Sequence, residues 1–472
     1  NPTCETEIPL MRQFWLAKKS NKKVAMYLYI KNNKVEFKIV GTNYAPFPQD
    51  FNPTDGTVSR AIATCPVCNS VIAAKDVRKQ FQEGKGGQRM IVIVLRKTNE
   101  KGKLYRLPTE EDRNTFVEAE NYLKQKRKII IEERGFDPIP NENLPPAGTL
   151  GFRVQRYGIL KWGNLFNSRQ KLTLITYIEK IRQASKNMLE QGYDEEYSKA
   201  ILSYLALGID RLADQITILV TWLPTIEAIS HTFVRQALPM KWDYIETNSF
   251  SGGGGSYKSA MNWILRIIEH CAQTISKSNL PTIVQTSATS LPYPDNYFDA
   301  IFTDPPYYDN VPYSHLSDFF YVWLKRSIGD LYPELFSTPL SPKSEEIVAY
   351  THEKSWDEAK EFFENMLKKA LKEIYRVLKT NGIAIIIYAH KTTAGWESVI
   401  NALLDSGLMV SASWPISTER KVRLRAKESA ALASSIYIIV RKIKKKENGL
   451  YPEIKKQMKK YLNIKLERIW QE

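Results

Sequence analysis

Residues 297–310 read "YFDAIFTDPPYYDN", and the fold turns on how this stretch is understood. A short apolar run from Phe298 to Thr303 breaks into an acid, two prolines and two tyrosines. A run of that length closed by turn residues is the pattern of a strand buried on both faces. Segments of alternating strand and helix character follow it, which argues for an α/β sheet. Ligands of open α/β sheets gather at the carboxyl ends of the strands. Asp304 stands at such an end.

Two readings of Asp304-Pro305-Pro306-Tyr307 compete. One is a plain strand-ending turn. The other is a site that accepts a methyl group on an exocyclic amine. Such an amine is a weak nucleophile, because its lone pair is delocalised into the base. The Asp304 carboxylate and the Pro305 carbonyl together offer acceptors for its two N–H protons. That localises the lone pair and stabilises the charge growing on nitrogen. The two prolines fix the direction of the carbonyl. Tyr307 offers a ring for a base swung out of its stack, worth about 1–3 kcal/mol.

Working outward, "TIVQTSA" (282–288) reads as a strand and "LSDFFYVWLKRSI" (316–328) as a core helix with aromatics at helical spacing. A long helix begins at Trp356, with Asn381-Gly382 as its stop. "IAIIIYAH" is a continuous apolar strand, "GWESVINALLDSG" a helix, and "LMVSASWPIST" and "SSIYIIVRKI" are two final strands. Upstream, residues 1–105 are β-rich, with "KKVAMYLYI" and "KVEFKIVG" as alternating runs. Residues 106–150 hold a helix (107–135) and a Pro-rich linker, and helical periodicity marks 165–235 within a domain at 151–240. The catalytic region spans 241–445, and 446–472 is a basic tail.

The chain has 472 residues, 67 Lys and Arg against 51 Asp and Glu, a net charge of +16. That balance favours a polyanion such as DNA as partner; a solvated basic surface is the alternative. No apolar run reaches the length of a membrane span, no signal peptide is visible, and a cytoplasmic setting is expected. Cys65 and Cys68 form a CxxC of zinc-knuckle spacing. Cys4 is the remaining cysteine of that region, and the five histidines all lie beyond residue 230, so three ligands are in view. Reduced, metal-free thiols are the alternative. Cys271 reads as core.

Several segments together resemble one family. They are "EIPLMRQFWLAKK" (7–19), "GTVSRAIATCPVC" (56–68), "GTLGFRVQRYG" (148–158), "RQALPMKWDY" (235–244), "TDPPYYDNVPYSHLSDFFYVWLKRS" (303–327) and "LYPELFSTPLSPKSEEIV" (331–348). In them the chain resembles the adenine-specific DNA methylases that contain a zinc ribbon, over almost its whole length. The resemblance implies a class I, Rossmann-like methyltransferase sheet with an inserted zinc-ribbon domain and a helical domain. It implies S-adenosylmethionine as donor, structural zinc, and the N6 amino group of adenine in DNA as target. Asp304, Pro305, Pro306 and Tyr307 match the family's catalytic motif. Ser287, Ala288 and Thr303 fall at strand ends beside the donor, while Tyr308, Asn310, Arg153 and Arg156 are the expected substrate contacts. A restriction-modification or phage-defence setting would fit.

The family's donor loop, an Asp-Pro-Phe followed by glycines, is not found in residues 1–240. The chain begins at Asn1, and "NPTC" resembles the second half of a knuckle whose first cysteine would precede it. The expectation is a chain whose donor loop and fourth zinc ligand come from an upstream segment or from a second chain. "SGGGGS" (251–256) resembles a phosphate cradle, but no strand ending in an acid follows its helix, so a substrate-facing or flexible loop is preferred. "FRVQRYGILKWGNLFNSRQ" (152–170) interleaves bases with aromatics, as nucleic-acid contacts or amphipathic packing do. "STERKVRLRAKES" (417–429) is a basic loop, phosphate-gripping or merely solvated. Cytosine N4 or RNA as target, or a non-catalytic DNA-binding module, are the competing functions.

Overall fold

The computed structural model describes residues 1–96, 102–276, 279–308, 311–350, 354–390, 392–416, 435–443 and 450–471. The chain divides into two compact units. The first comprises 1–281 with 311–346, and the second 282–310 with 347–472.

The first unit opens with a meander of β1 (Trp15–Lys19), β2 (Lys22–Lys31) and β3 (Lys34–Gly41), all antiparallel. Asn32 and Asn33 both take positive φ (49° and 60°). Two such residues between paired Lys31 and Lys34 make the tight hairpin turn whose twist matches the strands. Phe14, Leu16, Val24, Met26 and Phe37 bury one side of this meander with Tyr105. A second small sheet of β4 (Val58–Ser59), β5 (Ile62–Thr64) and β6 (Val71–Ile72) carries the CxxC in its β5–β6 turn. Helix α1 (Ala74–Gln82) follows, then the β7 (Ile93–Leu95) and β8 (Leu104–Arg106) pair.

Helix α2 (Glu110–Arg134) starts at a capping box of Thr109 and Asp112, three residues after the expected start, and stops at left-handed Gly135, one residue before the expected end. Helix α3 (Ser168–Glu190) is capped by Asn167 with Gln170, and α4 (Glu195–Gln215) by Asp194. Helix α6 (Tyr313–Ile328) inserts Phe319, Val322 and Trp323 among Trp162, Leu165, Phe166 and Leu174. It is the core helix its aromatic spacing announced. Arg326 of α6 is buried and makes a double hydrogen bond to Glu142 (3.0 and 3.1 Å), with further bonds to the Asp137 and Ile139 carbonyls.

The helical periodicity expected to continue to residue 235 ends at Gln215. Beyond it come loops and the two-residue strands β9 (Trp222–Leu223) and β10 (Ala228–Ile229). Two hydroxyl pairs explain the change: Thr217 with Thr232 (2.8 Å) and Thr221 with Ser230 (3.2 Å) bind the segment across itself. Short hydroxyl side chains compete with a helix in just this way. Helix α5 (Tyr257–Ile275) belongs to the first unit.

The second unit is a four-stranded mixed sheet with the order β11 (Phe298–Thr303), β12 (Leu378–Tyr388), β14 (Ser435–Lys442), β13 (Leu408–Ile416). β11 and β12 are parallel, while β14 runs antiparallel to both its neighbours. Helices α7 (Trp356–Val377) and α8 (Thr393–Asp405) cover one face, packing Phe363, Leu367, Val399 and Leu403 on Ala384, Ile386, Tyr388, Ile438 and Val440. Register puts Phe302, Ile385, Ile439 and Ala412 side by side on the opposite face. A last helix, α9, spans Tyr451–Gln471.

Three expectations are corrected here. "TIVQTSA" is not a strand: residues 282–288 are irregular, and Ile283 is 88% exposed. The strand β11 is not buried: it is an edge strand, with Phe302 60% exposed. Both have one physical reason. An apolar strand is buried by neighbours on both sides, and among the described residues β11 pairs only with β12 and 282–288 pairs with nothing. Finally, Asn381-Gly382 does not stop a helix. Helix α7 ends at Val377, and β12 runs through both residues, with a Cβ at Gly382 meeting the Asp299 carbonyl at 3.0 Å.

Candidate functional site

Thr303 is the last residue of β11 and pairs with Ile386 of the central strand, so Asp304 leaves the sheet at its carboxyl edge. Its side chain is exposed, and Pro305 and Pro306 are half-buried behind it. Tyr307 meets Tyr388 edge-on at 5.7 Å. Tyr308 turns the other way. Only 4% exposed, its ring packs edge-on against Phe363 (4.8 Å), Trp356 (5.8 Å) and His390 (5.4 Å). Its φ of 38° lies in the left-handed region, costly for a bulky residue, and its carbonyl accepts from Ala349 N–H at 3.0 Å. Tyr308, expected as a substrate contact, is therefore the anchor that pins the Asp-Pro-Pro-Tyr turn to the helical layer. Asn310 lies outside the described residues.

His390 follows the end of β12 by two residues and is buried. The Thr392 backbone N–H lies 3.1 Å from its Nδ1. Gly395 packs so closely that a Cβ there would come within 2.2 Å of the ring.

The loop before β11 is held by a clamp that sequence reasoning missed. Arg376 donates to the carbonyls of Leu291 (2.9 Å) and Tyr293 (2.7 Å) and to Asp295 (3.0 Å). Glu373 accepts from Leu291 N–H at 2.8 Å, and the Arg376 hydrogen bond is the chief cause holding its carboxyl below the usual range. Their i,i+3 spacing in a charged helix is too common to flag this role. Upstream of the clamp, the Ser287 hydroxyl lies 2.8 Å from that of Thr289, and Ala288 is exposed.

In the first unit, Cys4, Cys65 and Cys68 converge, with their sulfurs all within 4.8 Å of one another. The knuckle is made by Cys65 N–H donating to the Ser70 carbonyl and Asn69 N–H to the Cys65 carbonyl, both at 2.9 Å. Cys68 is held down to about 6, first by the Ser70 hydroxyl and then by its backbone N–H. The Asn1 amide donates to Cys4 Sγ (3.0 Å) and Cys68 Sγ (3.1 Å). Gathered sulfurs with hydrogen-bond donors around them suit a thiophilic ion such as zinc.

Arg153 and Arg156 are exposed, whereas Tyr157, Trp162 and Phe166 are buried. The interleaved aromatics thus belong to the packing, and the cations alone face solvent. Arg169 pairs with Glu246 at 2.8 Å. No strand leads into the 251–256 glycine turn. Its polar groups are used locally: Gly255 N–H donates to Gln215 (2.9 Å), and Ser256 caps α5 by accepting from Ser259 N–H (3.2 Å). Residues 417–429 lie outside the described residues.

No helix among the described residues is long and apolar enough to cross a membrane. Compared with known proteins, the chain matches no family model and no curated protein. Among solved structures, that of the [4+2]-cyclase SpnF matches with 17% sequence identity and a TM-score of 0.20, over 38% of this chain and 62% of the other. The chain thus spans less than two thirds of that protein's length, and at this TM-score the likeness carries no argument.

Proposed function

We propose that this chain carries the acceptor side of an S-adenosylmethionine-dependent amino-methyltransferase acting on the N6 amine of adenine in DNA. The observation that supports this best is the Asp304 turn: an exposed carboxylate at the carboxyl end of a parallel strand, beside two prolines and a tyrosine ring, pinned by buried Tyr308. In this reading Asp304 and the Pro305 carbonyl hold the two amine protons and aim the nitrogen lone pair. Tyr307 stacks on the extruded base.

Bound S-adenosylmethionine supplies the electrophilic methyl group. The described residues do not make a full cradle for it. In this reading Ser287, Ala288 and Thr303 would contact it, and among the described residues of the second unit no glycine turn follows a strand. The edge of β11 that meets no strand among the described residues fits a donor half supplied by a further strand-bearing segment or by a second chain. The three cysteines would hold a structural zinc ion.

Transfer of a labelled methyl group to DNA, compared between wild type and Asp304→Ala, tests the reading. A drop of at least about 100-fold is expected, the scale of losing one preorganised electrostatic contact. Cytosine N4 as target would show as label in that base instead. Donor binding abolished together with transfer would favour a DNA-binding module that needs its partner segment.

A further inference from the structure

The side of the β1–β3 meander turned away from the core of Phe14 and Met26 carries lysines. Side chains alternate along each strand, which puts Lys18 of β1, Lys23 and Lys31 of β2, and Lys34 and Lys38 of β3 on that side. Register sets Lys18 directly opposite Lys23, and Lys31 directly opposite Lys34. Like charges facing one another across two strands weaken a sheet. A third such pair, Lys19 with Lys22, points to the other side, where Glu227 binds both ammoniums (2.5 and 2.6 Å). Among the described residues no carboxylate forms an ion pair with any of the five outer lysines. The one acid of the strands on their side, Glu36, is taken by Arg89 at 3.6 Å. The loop after β3 adds Asp50 and Asp55, the latter held by Asn52 (3.0 Å). Cations remain in excess, and the sheet carries a repulsion that a polyanion would relieve.

Between the two outer lysine pairs lie Tyr27 and Tyr29, both half-buried and on the same side. Their rings are within 9° of parallel and their centroids are 6.4 Å apart, close to twice the step of about 3.4 Å between stacked bases. Lys38 stands opposite Tyr27, its Nζ 5.0 Å from the centre of that ring. Phe51 closes one end of the row, edge-on to Tyr27 at 5.0 Å. We propose that this face binds a single-stranded stretch of nucleic acid, its phosphates at the two lysine pairs and a base at the parallel tyrosines. Rings set among unpaired cations hold unstacked strands without sequence preference. A duplex hides the base faces that the tyrosines would meet. Length argues against a free nucleotide: Lys23 and Lys31 are eight residues of strand apart, about 27 Å, or about eight stacked nucleotides. The proposal rests on the view that this chain acts on nucleic acid, but not on any step at Asp304.

The test is fluorescence anisotropy with a labelled single-stranded DNA 12-mer of mixed sequence. The wild type is compared with Tyr27→Leu/Tyr29→Leu, with Lys23→Gln/Lys34→Gln, and with Lys128→Gln/Lys186→Gln, an equal charge change on α2 and α3. The tyrosine pair is expected to weaken binding at least about tenfold and to leave the salt slope as in wild type. The lysine pair is expected to weaken it at least about tenfold and to lower the slope by about 1.4, two phosphate contacts on a single strand. The control pair should stay within about twofold. Thermal melts confirm that each variant folds, and the lysine pair should melt no lower than wild type, because it removes facing like charges. The proposal is overturned if wild type does not bind the 12-mer, if the tyrosine pair or the lysine pair binds as wild type does, or if the control pair loses as much. It is equally overturned if the lysine pair melts below wild type, or if AMP or a duplex 12-mer competes as well as the single strand. Should the tyrosine pair fail to fold, the lysine pair and the duplex competition decide. Asp304→Ala should bind the 12-mer normally. Loss of transfer without loss of this binding separates a failure at Asp304 from a failure of the lysine-tyrosine face.

Discussion

Tyr308 shows how much one side chain decides at the residue scale. A tyrosine following Asp-Pro-Pro-Tyr invites assignment to the ligand, and nothing local says otherwise. Its inward direction depends on Phe363, Trp356 and His390, which arrive from residues 48 or more positions later. Tyr308→Ala should therefore destabilise the protein by about 3–5 kcal/mol, as loss of a buried aromatic does. Chemical denaturation measures it, and a cost below about 1 kcal/mol would refute the anchoring role. Glu227 was not legible either. Its carboxylate, at a positive φ of 51°, receives Lys19 (2.5 Å), Lys22 (2.6 Å) and Tyr105 (2.6 Å). Burial would raise its pKa, yet these three donors together bring it down to about 2. A depressed carboxyl stabilises the fold above its unfolded value near 4.5 and loses that contribution as pH falls towards about 2. Melting temperatures from pH 6 to 2 should fall less steeply in Glu227→Gln than in wild type. Parallel slopes would show that the network does not titrate as described.

At the scale of elements, the legible parts were those with strong local chemistry. The helix expected at 107–135 was legible from its leading proline and first-turn acids, and the core role of α6 from its aromatic spacing. The CxxC turn was equally plain. The site that Cys4 completes from 61 residues away was foreseen only by counting the cysteines. What failed depended on neighbours. Residues 282–288 have strand composition but pair with no strand among the described residues, and the helix forecast beyond Gln215 yielded to hydroxyl pairs across a loop. For the cysteine element the expected outcome is about one zinc per chain by elemental analysis. Cys65→Ser should lose the metal and lower the melting temperature, because structural zinc contributes directly to folding. Equal metal content in both proteins would remove these cysteines as ligands.

Across the whole molecule, the sequence pattern was right that the region after residue 282 is α/β and that the region before residue 106 is β-rich. The path of the chain between the two units was not legible. It enters the second unit at 282, leaves after 310 and returns at 347, so that α6 is core to the first unit although it follows the Asp304 turn directly. Periodicity marks a helix's apolar face but not which core receives it. The charge of +16 is consistent with a nucleic-acid ligand on either unit. The central claim remains the Asp304 turn. Its most direct test follows tritiated methyl groups from S-adenosylmethionine into unmethylated DNA of mixed sequence, with the natural protein expressed from its own gene. The account predicts label in N6-methyladenine and a fall of at least about 100-fold in Asp304→Ala. Transfer undiminished by that substitution would contradict it.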